Sequence, residues 1–350
     1  MRPPPDPATI RNVLVIKLSA LGDFIQALAP MKAIRDHHKG ARITVLTTPP
    51  FAPLARACPF VDAVETGGRP RSLSAWWTLV RTVRAGKFDI VYDLQTNDRT
   101  ALLFQLLRPF PPLWSGVAWG CSYPHKNPRR VLMHTVDRQA EQLVAAGIGP
   151  PEGYLMGAAP TPDLTWLRAG LGHPPELEPE HFGLTGPYAA LVPGSSPQHL
   201  EKRWPAEKFA ELAEKLLAIE LTPVILGSTI EAPVAATIKA LVPKVVDLAG
   251  KTDLFQVMAL AEKASVAIGN DTGPMHAAGA AGAPSVVLFS RKSDPNRAAP
   301  RGRNVVVLRS PDLGDLAVDD VVRAALAVAH LGPALDPVEL SVPKFARRGE

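Results

Sequence analysis

The sequence predicts an α/β protein of two Rossmann-like domains facing each other across a central cleft, on three observations. Short apolar runs rich in β-branched residues, such as Val13-Leu14-Val15-Ile16, Tyr188–Val192 and Ser285–Phe289, have the composition of buried parallel strands. Segments with helical spacing alternate with them, and polar or glycine-bearing turns follow the strands' carboxyl ends. This pattern stops in a stretch rich in proline, glycine and acid from about Gly149 to Pro187 and then begins again, in a chain of 350 residues that is long for a single core.

In order, residues 1–10 read as a flexible proline-rich lead, and residues 11–165 as the first domain. Val13–Ile16 is its first strand, and Phe24–Asp36 is a helix with Ile25, Leu28, Met31 and Ile34 on its apolar face. Ile43–Thr47, Val61–Glu65 and Asp89–Leu94 read as further strands, with helices over Leu73–Ala85 and Ala101–Leu107. Trp114–Arg130 reads as irregular and basic, and His134–Arg138 opens a helix that runs to Ala146. Residues 166–187 form the expected linker, with one short helical stretch nearby, and residues 188–317 the second domain. Its strands are Tyr188–Val192, Pro223–Leu226, Val245–Leu248, Val266–Ile268, Ser285–Phe289 and Val305–Leu308. Helices are expected over Ala206–Leu217, after Glu231, and over Leu254–Lys263 and Met275–Ala281. An amphipathic helix, Val318–His330 within a closing segment 318–335, ends the pattern.

Composition narrows the class. Hydrophobic residues make up 46% and charged residues 20%, a globular balance. The formal charge of +5 and a pI near 9.2 suit acidic partners, yet no aromatic-interleaved basic stretch points to nucleic acid. Cys58 and Cys121 are too few for a disulfide framework and lack metal-ligand spacing, so free thiols in a reducing compartment are expected. The opening Met1–Pro7 has no apolar core to serve as a signal peptide, and no apolar run reaches bilayer length. A cytoplasmic protein is expected, at most resting on a membrane surface.

The densest chemistry lies in Asn270-Asp271-Thr272-Gly273-Pro274-Met275-His276, between a strand and a helix. The first amides of a helix lack internal partners and its dipole favours negative charge, so this turn suits a diphosphate, with the Thr272 hydroxyl and His276 beside it. Asp271 reads equally well as a plain helix cap. Lys17-Leu18-Ser19-Ala20-Leu21-Gly22-Asp23 repeats the strand–turn–helix design, and there too Asp23 alone is readable as a cap. In open parallel sheets the ligand crevice lies outside the strands' carboxyl ends. Asp23, Gln95 and Arg99 fall there in one domain, and Ser195, Ser196, Lys202, Glu231 and Asp271–His276 in the other. By role, Lys202, the hydroxyls and the helix amides can neutralise a diphosphate leaving group without a metal. Glu231 suits ribose hydroxyls, and Asp23 suits removal of a proton from an acceptor hydroxyl.

These motifs resemble glycosyltransferase family 9, the ADP-heptose:lipopolysaccharide heptosyltransferases. The resemblance runs from about Asn12 to Ala329 and rests on Lys17–Asp23 (KLSALGD), Asp93–Thr100 (DLQTNDRT), His134–Arg138, Lys202–Pro205 (KRWP) and Asn270–His276 (NDTGPMH). It implies a GT-B fold and an inverting transfer of heptose from ADP-heptose to the lipopolysaccharide inner core, with neither cofactor nor metal. It implies Asp23 as catalytic base and Lys202 on the donor phosphates. Glu231 would meet the ribose, with Ser195, Ser196, Asp271, Thr272, Gly273 and His276 around the donor. Ser19, Gln95, Arg99, Lys126, Arg129 and Arg130 are the matching expectations for an acidic acceptor at the inner membrane surface; no stable protein partner is implied. In GT-B proteins the final helix often crosses back to the first domain, the expectation for 318–335. Residues 110–130 and 150–185 depart from the family pattern.

Three other readings share the grammar. A nicotinamide oxidoreductase would carry G-x-G-x-x-G after the first strand, where this chain has Lys17–Asp23. A transferase of another nucleotide sugar in envelope polysaccharide synthesis shares the two-domain plan. A non-catalytic sugar-nucleotide binder would not need both Asp23 and Lys202.

Overall fold

The computed structural model describes residues 2–195 and 200–329, and the chain divides into two compact units between Pro162 and Asp163. In the first, β1 (Asn12–Ile16), α1 (Leu21–Gln26), α2 (Leu28–His37), β2 (Arg42–Leu46), α3 (Ala52–Ala57) and β3 (Ala63–Glu65) come first. They are followed by α4 (Leu73–Ala85), β4 (Ile90–Asp93), α5 (Asp98–Leu106), β5 (Leu113–Gly116), β6 (Tyr123–Pro124) and α6 (Thr135–Val144). The second unit opens with α7 (Trp166–Gly170), β7 (Tyr188–Val192), α8 (Ala206–Leu217), β8 (Thr222–Ile225), α9 (Ala232–Leu241) and β9 (Val246–Asp247). It continues with α10 (Leu254–Lys263), β10 (Val266–Asn270), α11 (Gly273–Ala280), β11 (Ser285–Phe289), α12 (Pro295–Ala298), β12 (Val305–Arg309) and α13 (Val318–Val328).

Each unit is built on a six-stranded, wholly parallel sheet. The orders are β3-β2-β1-β4-β5-β6 and, read in the same sense, β9-β8-β7-β10-β11-β12. Both are the doubly wound order in which the winding reverses beside the first strand. The reversals therefore fall between β1 and β4 and between β7 and β10.

Alternate residues of the central strands face opposite layers of helices, which is why the strands read as continuous apolar runs. In the second unit Leu191, Ile268 and Leu288 pack on Phe209, Leu212 and Leu216 of α8 and on Val321 and Ala325 of α13. Their neighbours Ala190, Val192, Ala267 and Val287 face Leu260 of α10 and Met275 and Ala278 of α11. In the first unit Leu14, Ile16 and Val91 meet Leu79, Val80 and Val83 of α4 and Phe104 of α5.

Several expectations are corrected. The single helix over Phe24–Asp36 is two, α1 and α2, joined at Ala27. Pro30 is the cause: it has no amide to donate to the Gln26 carbonyl and its ring crowds that carbonyl, so the helix ends and restarts. Trp114–Arg130, expected to be irregular, supplies most of β5 and all of β6, two short parallel strands that complete the sheet. The lead is fastened: Asp6 caps a turn over Pro7–Thr9, Ile10 is buried, and the Tyr123 hydroxyl donates to the Pro3 carbonyl at 3.1 Å.

The segment 166–187 is no free linker, because it packs into the second unit. Leu164 N–H donates to Ala280 O at 2.9 Å, and buried Arg168 of α7 pairs with Glu178 and, at 3.9 Å, with Glu262 of α10. Helix α13 likewise lies on α8, β11 and β12, closing the second unit's core where a crossing back to the first domain was expected. Residues 330–335 of that expectation lie outside the described residues. No helix among the described residues is long and apolar enough to cross a membrane.

Candidate functional site

The loops after β1 and β4 flank the first reversal, and they are tied together by side chains. Gln95 Oε1 accepts from the Leu18 and Ser19 amides at 2.8 and 3.4 Å, so this residue joins the two loops. Asp93 ends β4 fully buried; its Oδ1 accepts from the Gln95 and Thr96 amides at 3.1 and 2.9 Å. Its Oδ2 is buried without a hydrogen-bond partner among the described residues. Burial lifts the Asp93 carboxyl to about 6, against the pull of the Thr100 side chain, of those amides and of the Lys17 charge.

Lys17, also buried, donates to Leu94 O at 3.4 Å. Burial lowers its ammonium below the ordinary lysine range and Arg138 adds to this, while Asp23 and Asp93 oppose it. Asp23 is half-buried in the first turn of α1, where its Oδ2 accepts from the Ala20 amide at 3.2 Å. The plain capping role is thus real, and it leaves the carboxylate at the rim of the crevice. Arg69, about fifty residues away in sequence, donates to Ser19 Oγ. Arg130 reaches the same crevice through Thr96 Oγ1 at 3.0 Å, with His125 Nδ1 3.4 Å from its Nε. Arg99, Lys126 and Arg129 are exposed on α5 and on the loop after β6.

The second reversal is organised by Asn270, the fully buried last residue of β10. Its Nδ2 donates to Pro193 O and Gly194 O at 2.8 and 3.2 Å, and its Oδ1 accepts from the Trp204 amide at 3.0 Å. One side chain thereby fixes the loop after β7 and the Lys202–Pro205 segment to the turn after β10. The Trp204 indole is buried against Phe209 and donates to Leu316 O at 3.2 Å, which anchors the segment from below.

Lys202 lies beside this turn, its Nζ 3.2 Å from Asp271 Oδ2. Asp271 Oδ2 also accepts from the Ser293 hydroxyl at 2.7 Å, and His276 Nε2 lies 3.8 Å from Oδ1. Burial would raise the Asp271 carboxyl, but the hydrogen bonds from His276 and Ser293 and the Lys202 charge outweigh it and hold it below the usual range. Helix α11 begins at Gly273 with Thr272 as its cap residue, and Thr272 Oγ1 is buried without a hydrogen-bond partner among the described residues.

Arg203 donates to Ser195 Oγ and Ser195 O at 3.0 and 3.1 Å. Ser196 lies outside the described residues. Glu231 Oε2 accepts from the Ser228 amide and hydroxyl, both at 2.7 Å, and its carboxylate lies over Gly194, where a Cβ would come within 2.6 Å of Oε1.

The structure thus gathers Ser195, Lys202, Glu231, Asp271, Thr272, Gly273 and His276 around the second reversal, and Ser19, Asp23, Gln95 and Arg130 around the first. The sequence motifs contain Lys17, Asp93 and Asn270 but give none of them a role of its own, although each is a polar residue ending or leaving an apolar strand run. Arg69 and Ser293 carried no local signal, because only the fold brings them in.

Two units of this strand order, each with a polar crevice at its reversal, have the GT-B fold. The sequence pattern of glycosyltransferase family 9 (heptosyltransferase) matches residues 76–320, and the chain belongs to that family. The Escherichia coli lipopolysaccharide heptosyltransferase 3 is 23% identical over 287 residues, covering 77% of this chain and 80% of that protein. The Salmonella typhimurium lipopolysaccharide heptosyltransferase 2 is 26% identical over 322 residues, 85% and 88% of the two chains. Among solved structures, the Escherichia coli ADP-heptose lipopolysaccharide heptosyltransferase II superposes with a TM-score of 0.70 at 21% identity, over 91% of this chain and 99% of that one.

Proposed function

We propose that this glycosyltransferase moves heptose from ADP-heptose to the lipopolysaccharide inner core, with inversion and without a metal. The observation that carries the reading is the cradle at the start of α11. It combines the Lys202 ammonium, a buried Thr272 hydroxyl with no partner among the described residues and the first amides of a helix. Such a group of donors suits a diphosphate. The relatives' names supply the sugar and the acceptor.

In the proposed step an acceptor hydroxyl attacks the anomeric carbon as its proton passes to Asp23. The bond from that carbon to the diphosphate oxygen breaks, and ADP leaves with the electron pair. One displacement inverts the centre. Lys202, Thr272 and the α11 amides take up the charge that develops on the leaving oxygen, the electrostatic work that dominates such catalysis. Glu231, fixed by Ser228 over Gly194, meets the ribose, while Ser195, Ser196, Asp271, Gly273 and His276 shape the rest of the donor site. Ser19, Gln95, Arg99, Lys126, Arg129 and Arg130 serve the phosphorylated acceptor. The chain's positive charge suits the anionic cytoplasmic face of the inner membrane, where the protein would work as a peripheral enzyme.

The test is ADP release from ADP-heptose in the presence of de-acylated Kdo-lipid A, with the anomeric configuration of the product read by NMR. Acceptor-dependent ADP release with an inverted product, undiminished by a chelator, is expected. Release with a different nucleotide sugar alone, or a retained configuration, would overturn the reading.

A further inference from the structure

The first unit carries an apolar surface that the proposed reaction leaves unused. Leu79, Val80 and Val83 of α4 share one core cluster with Leu103 and Phe104 of α5, so the two helices cover the same face of the sheet. The outward side of such a helix is ordinarily polar. Here Leu73 and Trp77, four residues apart and so one above the other on α4, are 82% and 59% exposed. Leu102 and Leu106 repeat that spacing, exposed, on α5. Phe110, just beyond α5, and Trp119, on the loop after β5, are 89% and 79% exposed. Trp119 lies beside α5, since Gln105 Nε2 donates to Trp119 O at 3.0 Å and Arg108 Cζ stands 5.2 Å from its ring centroid. Arg84 of α4 donates to the Leu106 and Arg108 carbonyls, both at 3.5 Å, which joins the ends of the two helices. Single exposed apolar residues are ordinary, but a group spread over two neighbouring helices and the loop beside them is a patch.

Charge indicates what covers it. Residues 66–136 hold ten Lys and Arg against three Asp, a formal +7 that leaves −2 for the rest of a chain of +5. Arg81 and Arg84 are exposed on α4 beside the apolar residues, and Asp98 is the one acidic residue of the two helices. A second copy docked through its own copy of this face would set these arginines against each other. A nucleic acid would answer the arginines and gain little from three exposed leucines. An anionic bilayer answers both, with tryptophan at the headgroup level, leucine and phenylalanine just beneath it, and arginine on the lipid phosphates.

We propose that the outer face of α4 and α5, with Phe110 and Trp119, docks this chain on an anionic phospholipid bilayer. The inference rests on the reading of a peripheral enzyme at the inner membrane, not on which sugar is transferred. The six apolar residues, Arg81 and Arg84 are all distinct from those assigned to donor or acceptor, so docking and turnover are separable.

The experiment sediments the full chain with vesicles of phosphatidylglycerol and phosphatidylethanolamine, and with vesicles of phosphatidylcholine alone. The native chain should partition about tenfold or more in favour of the anionic vesicles, and added salt should weaken the binding. Trp77→Ser/Phe110→Ser/Trp119→Ser and, separately, Arg81→Glu/Arg84→Glu should each lose about tenfold or more. Ile219→Ser/Leu241→Ser, which removes exposed apolar residues of the second unit, should bind like the native chain. ADP release with the soluble, de-acylated acceptor should be the same for all of them, which also shows that each variant is folded. An active native chain that ignores anionic vesicles, or patch variants that bind them as well as it does, would overturn this inference alone. Patch variants that keep ADP affinity but lose turnover on the soluble acceptor would place these side chains in acceptor binding and overturn it too. A native chain that dimerises in sedimentation velocity, beside monomeric patch variants and no vesicle binding, would put a second copy on this face instead. Patch-dependent vesicle binding by a chain that releases no ADP would overturn the transfer reading and leave the docking surface standing.

Discussion

The two crevices share a strand order and differ in where their charge is kept. Around β1 and β4 the charges are sunk: Lys17 and Asp93 are buried beneath the loops, and Gln95 spends its side-chain carbonyl tying those loops together. Around β7 and β10 the loops are tied by a neutral amide, Asn270, and the ion pair Lys202–Asp271 lies nearer the surface, with the two side chains 20% and 10% exposed. A buried charge tunes and orients a neighbour, while a more accessible cation can be handed to an incoming anion. One topology therefore carries two placements of charge, although a carboxamide, Gln95 or Asn270, ties the loops in both crevices.

The sharpest way to break that contrast is to remove one charge from each crevice. Asp23→Ala should cut turnover by about 10²- to 10⁴-fold, the usual worth of a general base, with ADP affinity unchanged in a calorimetric titration. Lys202→Ala should do the reverse in binding, weakening ADP by about 1.5–3 kcal/mol, the scale of a charged hydrogen bond. An unchanged ADP affinity would remove Lys202 from the phosphate site.

A second test concerns the buried carboxyl. The Asp93 carboxyl at about 6 in the fold lies above its unfolded value near 3.8, so the fold prefers the protonated form. This contribution to stability is full below the unfolded value and is lost as pH rises through about 6, at a cost of about 3 kcal/mol by pH 8. Asp93→Asn keeps an acceptor for the two amides and removes that cost, so denaturant unfolding of the variant should lose the fall in stability between about pH 4 and 7. A slope as steep as that of the native chain would contradict the assignment. Asp271 has the opposite sign. Its lowered carboxyl contributes stability above the ordinary carboxylate range that is lost as pH falls through its own value.

The smallest effect is expected at Gly194. A methyl there would sit 2.4 Å from Glu231 Cγ and 2.6 Å from Oε1, so Gly194→Ala must push the carboxylate aside. ADP affinity should fall several-fold, whereas inorganic diphosphate, which lacks the ribose, should bind as before.

How much was legible follows from how local each feature is. The strands around both reversals were readable because burial on two faces demands unbroken apolar runs, and β1, β7 and β11 announce themselves in that way. Strands β5 and β6 were not, since Pro112, Gly116 and Pro124 gave two- to four-residue strands the look of loop. The break at Ala27 was legible in principle from Pro30, but the apolar spacing continues across it and hides it. Of the site, Lys202, Asp271 and Thr272 stood out as polar residues in turns after strands. Asn270 was read as part of the turn, where it is the last residue of β10, and its ties to distant backbone, like the Arg69–Ser19 and Ser293–Asp271 bonds, exist only once distant loops are folded together.

The three hydrogen bonds of Asn270 have one more consequence. Backbone that a nucleotide would otherwise have to arrange on arrival is already held in place by a single carboxamide. In the proposed reaction little ordering entropy would then be left to be settled when a diphosphate docks, and the free energy of that encounter would be available for the transfer.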